Sequence, residues 1–325
     1  MTDHTTTAET RPSDRPVIHI TLSGDIYLKS RRTQKGLVHR LRRNLELALE
    51  AAGYSGPLQR ISSHRFEIQP SEDEHEPVIE AATRVFGVAS VDAVTPIPYG
   101  TLEGLAEGVA RATSGSVRGR RFAVRAKRRG THDWKSPDLA REAGARLRAE
   151  GGIVDLTTPD VEVAVTVLDN HAYVVTNHRK GVGGLPLGTQ DRVLCLLSGG
   201  FDAVVAAWML MSRGAKVDFV HISLNCAQSD HALAVGRELW QAWGHGFEPE
   251  VHLVEFQPVK DALFDAVDAR MRQVTLKVMM AKAASAIADE VGIEALVTGD
   301  SLGQVSSQTL PHLVAVSKSS NTPIL

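Results

Sequence analysis

The hydrophobic pattern divides the chain into two regimes. Up to about Thr176, runs that alternate apolar and polar residues are separated by stretches with helical spacing; from Val193 onward, strands and helices take turns, opening on the unbroken apolar run Val193 to Leu197. Alternation marks half-buried strands, and short continuous runs mark strands covered on both faces. In the first regime Val17 to Leu22, Leu58 to Ile68 (one or two strands), Val88 to Val94, Arg121 to Lys127, Val161 to Leu168 and its hairpin partner Tyr173 to Thr176 read as strands. Helices are expected from Arg32 to Ala52, Pro77 to Phe86, Thr101 to Thr113 and Pro137 to Glu150. Gly53 and Gly87 stop the first two, Ser114-Gly115-Ser116 breaks the third, and Ser136 caps the fourth with Pro137 behind it. The opening strand–helix–strand–helix–strand order predicts a small α+β sandwich.

In the second regime, strand Val193 to Leu197 is followed by a glycine turn and a helix to Met211. Strand Lys216 to Ile222, helix Ala232 to Trp243, strand Glu250 to Phe256, helices Val259 to Ala269 and Thr275 to Val291, and strand Ala295 to Thr298 follow, with Asn321 to Leu325 starting a further strand. This order predicts a parallel sheet with helices on both faces, which binds ligands beyond the carboxyl ends of its strands. Ser198, His221 and Gly299 stand at such ends. Gly181 to Gly188 reads as a glycine- and proline-punctuated linker that starts the last domain. The expected divisions are a polar, disordered arm (1–16), then 17–75, 76–180 and 181–325.

Charge alters the picture locally. A net charge of −2 over 325 residues makes no global case for nucleic acid. Yet Lys29, Arg31, Arg32, Lys35, Arg40, Arg42 and Arg43 form one run without an acid, and Arg118, Arg120, Arg121, Arg125, Lys127, Arg128 and Arg129 form another. A solvated face is the plain explanation; the lack of interspersed acids points toward phosphate. In the second run, alternation places Phe122, Val124 and Ala126 on one face and basic side chains on the other. Two cysteines are too few for a disulfide framework or a zinc site. Cys195 falls in a buried strand and Cys226 in a loop. No apolar run has the length of a membrane span and no signal-peptide pattern opens the chain, so a cytoplasmic protein is expected.

The richest stretch for chemistry is Ser198-Gly199-Gly200-Phe201-Asp202-Ala203. A strand, a tight turn and a helix aim free N–H groups and the positive end of a dipole at one spot, which suits phosphate. It is neither a Walker A loop nor a dinucleotide fingerprint. It resembles the pyrophosphate loop of the PP-loop ATPases, which usually reads Ser-Gly-Gly-x-Asp-Ser; Ala203 replaces the last hydroxyl, a loss of roughly 1–3 kcal/mol if that group bonded a phosphate. Gly299 to Thr309 is a second polar stretch, readable as a capped loop or as a pocket wall.

Together these stretches resemble the tRNA 4-thiouridine synthetase family, the tRNA sulfurtransferases shared with thiamine biosynthesis. Gly24-Asp25-Ile26-Tyr27-Leu28-Lys29-Ser30-Arg31 and Arg84-Val85-Phe86-Gly87-Val88 resemble its ferredoxin-like domain. Lys127 to His132, Val154-Asp155-Leu156, Pro159-Asp160 and Gly183 to Gly188 resemble its THUMP domain, an RNA-binding module. Thr298-Gly299-Asp300-Ser301-Leu302-Gly303-Gln304-Val305 is the most specific match. The resemblance implies a ferredoxin-like α+β domain (17–75), a THUMP domain (76–180) and a doubly wound parallel-sheet PP-loop domain (181–325). It implies tRNA binding by the basic runs, with Lys29, Arg31, Arg32, Arg125, Lys127, Arg128 and Arg129 as the residues. It implies ATP and Mg²⁺, adenylation of the uridine at position 8, and sulfur delivered from a persulfide. ATP would be held by Leu196, Leu197, Ser198, Gly199, Gly200, Asp202, His221, Ile222, Lys277, Gly299 and Gln308. Asp202 would hold the metal and, with Lys277, act catalytically. The persulfide cysteine has no counterpart before Leu325, so the chain reads as truncated, or as needing sulfur in trans from a cysteine desulfurase or another persulfide donor. A homodimer is left open. Two other readings stay open: a tRNA-binding protein with a degenerate loop and no catalysis, favoured by Ala203, and a PP-loop ligase for a small molecule, disfavoured by the basic domains.

Overall fold

The computed structural model describes residues 17–169, 171–224, 226–304 and 308–325, without the side chains of 226–228. The expected arm, 1–16, and residues 305–307 of the second polar stretch lie outside the described residues. In chain order the elements are β1 (Val17–Leu22), α1 (Gly24–Tyr27), α2 (Arg31–Ala51), β2 (Gln59–Ser62), β3 (Arg65–Ile68), α3 (His75–Thr83), β4 (Val88–Ile97), α4 (Leu102–Val117), β5 (Arg121–Arg129), α5 (Ser136–Ala149), β6 (Ile153–Val154), β7 (Val161–Leu168), β8 (His171–Lys180), β9 (Arg192–Leu196), α6 (Phe201–Met211), β10 (Lys216–Ser223), α7 (Cys226–Trp243), β11 (Val251–Glu255), α8 (Gln257–Ala266), α9 (Arg272–Val291), β12 (Leu296–Val297) and α10 (Leu310–Ser319). No helix among the described residues is long and apolar enough to cross a membrane.

Two compact units result. The first holds the described residues up to Thr21 with Tyr54–Ile79 and Ser90–Lys180. Its strands form one eight-stranded sheet, β2-β3-β1-β4-β8-β7-β5-β6. The two amino-terminal α+β regions therefore share a sheet, sewn together where β4 and β8 run antiparallel from Ser90↔Lys180 to Ile97↔Ala172. Leu105, Val109, Leu139 and Leu147 of α4 and α5 meet Phe122, Val163, Val165, Val167 and Val174 in one core. The expected break at Ser114-Gly115-Ser116 does not occur. Thr113 and Ser116 hydroxyls donate to the Val109 and Thr113 carbonyls at 2.8 Å, which satisfies them inside the helix, and Val117 then becomes buried. The N-cap of α5 is Lys135 rather than Ser136, because Asp138 Oδ2 accepts from the Lys135 N–H at 2.9 Å.

The second unit holds Leu22–Gly53, Glu80–Ala89 and Gly181–Leu325. Its sheet is wholly parallel, ordered β11-β10-β9-β12. Cys195, Leu197, Val217 and Phe219 point into a core with α6 and α7, while Leu194, Val220, Ile222 and Leu296 point into another with α9. Helices cover both faces, as a wholly parallel sheet requires. Arg192 Nε donates to fully buried Asp218 at 2.6 Å, and the Glu250 N–H donates to the same carboxylate at 2.8 Å, which ties β9, β10 and the entry to β11. Gly181 to Gly188 is not a free linker. Its N–H groups donate to Ala89, Thr83 and Val88, and the Leu187 carbonyl accepts from Asn44 at 3.0 Å.

Candidate functional site

From β9 the chain moves out to β10 and β11, then returns to β12 on the other side of β9. Loops leaving two such strands part from each other and open a crevice at their carboxyl ends. Residues 197–200 form one lip and the stretch beginning at Thr298 forms the other. Gly199 has φ +80°, a conformation that a side chain resists. Gly200 is the N-cap of α6 and supplies no side-chain bond to its first turn, so the leading N–H groups stay open to an anion. Ser198 Oγ lies 3.4 Å from the Gly200 N–H it accepts.

Asp202, the second residue of α6, is exposed, and its Oδ2 accepts from Gln304 Nε2 at 2.9 Å. A Cβ at Gly299 would stand 2.5 Å from the Asp202 carbonyl carbon, so only glycine lets the second lip approach α6 this closely. On that lip Asp300 Oδ1 accepts from Lys277 Nζ at 2.5 Å and from Gln308 Nε2 at 2.9 Å. Lys277, Gly299, Gln308 and Asp202 are thus linked around one crevice. Asp300 and Gln304 make the links; both lie in the motif Thr298 to Val305 that carries the resemblance, but neither was assigned a role in the site from sequence.

His221 is buried near the end of β10. Its Nδ1 donates to the Leu197 carbonyl at 2.7 Å, which leaves Nε2 a buried acceptor without a hydrogen-bond partner among the described residues. The Leu197 N–H donates to Val220, so its backbone is already engaged on both sides. The side chains of Leu197 and Ile222 are core, and Leu196 packs against it. Ala203 is buried in the same core as Leu197, so a methyl fills the place of the absent hydroxyl. Burial pushes the Cys195 thiol up to about 12, as expected of a core residue. Cys226 begins α7 rather than lying in a loop. Among the described residues no group of three or more His, Cys, Asp or Glu could cage a metal. A lone exposed carboxylate at an anion-facing turn suits an ion that completes its shell with phosphate oxygens and water, as Mg²⁺ does.

Of the basic residues, Lys29, Arg31 and Arg32 are exposed at the start of α2. Arg125, Lys127 and Arg129 are exposed on one face of β5. Arg128 is not with them. The strand runs to Arg129, two residues further than expected, and parity puts Arg128 on the face of Phe122, Val124 and Ala126. Its guanidinium donates to the Gly130 carbonyl and to His132 Nδ1, both at 3.0 Å, and lies 5.7 Å from the Trp134 ring centroid.

Three family models match the chain: the ThiI ferredoxin-like domain over residues 18–91, the THUMP domain over 100–177, and the thiamine biosynthesis protein ThiI over 188–325. A tRNA sulfurtransferase of Desulfurococcus amylolyticus is 39% identical over 302 residues, which is 93% of this chain and 62% of that protein. A tRNA sulfurtransferase of Sodalis glossinidius is 34% identical, covering 94% of this chain and 64% of its own. The chain thus spans under two thirds of the length of these relatives. A 4-thiouridine synthetase solved with RNA and bound ATP shares the fold, with a TM-score of 0.76 at 24% identity, covering 95% of this chain and 80% of that one.

Proposed function

Because the chain belongs to the ThiI family, whose relatives above are tRNA sulfurtransferases, we propose that it binds tRNA and ATP and adenylates uridine 8 for 4-thiouridine formation. The observation that carries the reading is the convergence of the open α6 terminus, Asp202, Lys277 and Gln308 on the crevice between β9 and β12. In the reaction the uridine O4 attacks the α-phosphorus, the bond to the bridging oxygen breaks, and pyrophosphate leaves. The terminal sulfur of a persulfide then attacks C4 and displaces AMP, and a second thiol attacks the carrier sulfur, which breaks the S–S bond, frees the 4-thiouridine and leaves a disulfide for an external thiol reductant to restore.

Each residue has a place in this scheme. Ser198, Gly199 and Gly200 cradle the pyrophosphate through backbone N–H groups and the α6 dipole. Lys277 sets a positive charge beside the phosphates. Asp202 would hold Mg²⁺, which when bound neutralises phosphate charge. His221 and Ile222 flank the adenine, and Leu196 and Leu197 fix the floor of the site. Gly299 and Gln308 close it. Lys29, Arg31 and Arg32, and separately Arg125, Lys127 and Arg129, face tRNA phosphates. Burial holds the Cys195 thiol up near 12, which disfavours it as a sulfur carrier, and the reading takes the sulfur from a persulfide donor such as a cysteine desulfurase.

The buried methyl of Ala203 favours a second reading, tRNA binding without catalysis. Pyrophosphate release from ATP, with and without a tRNA transcript and without a sulfur donor, separates the two. A tRNA-dependent burst, lost with ATP binding in a folded Asp202→Ala variant, is the expected result. No release with tRNA binding retained selects the second reading.

A further inference from the structure

The two lips of the crevice are held by different means. Among the described residues Asp202 meets the amide of Gln304 alone, whereas Asp300 gathers an ammonium and an amide onto a single oxygen. The three partners come from three separate places: Lys277 from α9, Asp300 from the exit of β12, and Gln308 from the approach to α10. None is loosely placed. Gln308 is 6% exposed and its carbonyl accepts from the Gly303 N–H at 2.9 Å. The Lys277 and Asp300 side chains are 29% and 21% exposed, so their charges are less screened than those of a surface pair.

We propose that Asp300 is a positioning residue of the nucleotide site, holding the Lys277 ammonium in place so that it meets the phosphates already oriented. The inference rests on the nucleotide reading above. A lysine stem is long and flexible, and an unanchored ammonium surrenders rotamer freedom when it grips a ligand. Anchoring moves that cost from binding to folding. The anchor does not consume the charge, because an ammonium has three donors and Asp300 takes one. The opposing possibility is that Asp300 competes with phosphate for Lys277 and, as an anion, repels it. The two differ in sign: an anchor strengthens ATP binding, and a competitor weakens it.

A double-mutant cycle on the full chain decides between them, with the dissociation constant for ATP at fixed Mg²⁺ measured for the unmodified chain, Asp300→Asn, Lys277→Met and the double variant, and a melting temperature for each. Asp300→Asn keeps the shape and one acceptor oxygen but loses the charge that fixes the ammonium. It is expected to weaken ATP binding about tenfold, the scale of one charge-assisted hydrogen bond. Lys277→Met should weaken it at least as much, and the double variant no further, because Asp300 acts only through Lys277. Unchanged or tighter binding in Asp300→Asn overturns the proposal, and so do losses that multiply in the double variant, which would mark Asp300 as merely structural. Should Asp300→Asn fail to fold, Asp300→Ser replaces it with the same outcomes. If the unmodified chain binds no ATP, the nucleotide reading itself falls; that result differs from every outcome of the cycle.

Discussion

The two acid-free basic runs look alike as sequence and differ in what the fold leaves available. At the start of α2, Lys29, Arg31, Arg32 and Lys35 are exposed and make no ion pair among the described residues. They crowd the positive end of a helix with no acid in its first turn, which costs about 0.3–1 kcal/mol per cation through the dipole. On β5 the neighbouring segments supply what the local sequence lacked. Arg121 grips Asp160 at 2.8 Å and Arg125 donates to the Leu156 carbonyl at 2.8 Å, with Glu162 at 3.6 Å. Arg128 turns to His132 and Trp134. Lys127 and Arg129 are left without an ion pair among the described residues. The lesson is that an acid-free run measures only local charge. A strand brings distant carboxylates alongside its own residues, whereas a helix start projects its side chains outward.

The comparison can be broken by mutation, on the proposed tRNA reading. The largest effect is expected from reversing Lys29, Arg31 and Arg32 to glutamate. tRNA affinity should fall by about two orders of magnitude and the log–log salt slope should lose about two to three units. The melting temperature should hold or rise, because acids suit a helix start. Unchanged filter binding would mean that these cations serve no phosphate. Reversing Lys127 and Arg129 should cost about tenfold and flatten the slope by about one to two units. Arg128→Ala should instead lower stability by about 1–2 kcal/mol in urea titrations and leave the slope alone, because its cation–π contact and hydrogen bonds lie within the fold. A slope change equal to that of Arg129→Ala would erase the distinction between the two faces of β5.

The smallest effect concerns pH. Hydrogen bonds from Arg121 hold Asp160 down at about 2, below its ordinary 3.8. A carboxyl whose pKa is depressed by folding adds stability above its unfolded value and loses it as pH falls toward the folded one. The Arg121–Asp160 pair should therefore persist as pH drops through 3.8 and dissolve near 2. Carboxyl titration by NMR should show the Asp160 midpoint returning toward its ordinary value in Arg121→Met.

Much was determined by sequence alone. The unbroken apolar run at Val193 to Leu197 marked a strand covered on both faces, and the alternation of strands with helices after it predicted a parallel sheet. Ser198-Gly199-Gly200 could only be a sharp turn into a helix. These are local properties, set by side-chain period and by glycine's freedom at positive φ. What the tertiary structure alone decided depends on residues far apart in the chain. The pairing of β4 with β8 made one sheet of two expected domains. Segments 83–89 and Asn44 turned an expected linker into a packed strap. Two further residues of β5 moved Arg128 to the other face. Asp300 became the meeting point of Lys277 and Gln308, 23 and 8 residues away in the chain. Periodicity reports which face of an element is buried. Which charge meets which is settled only when strands and helices distant in sequence pack side by side.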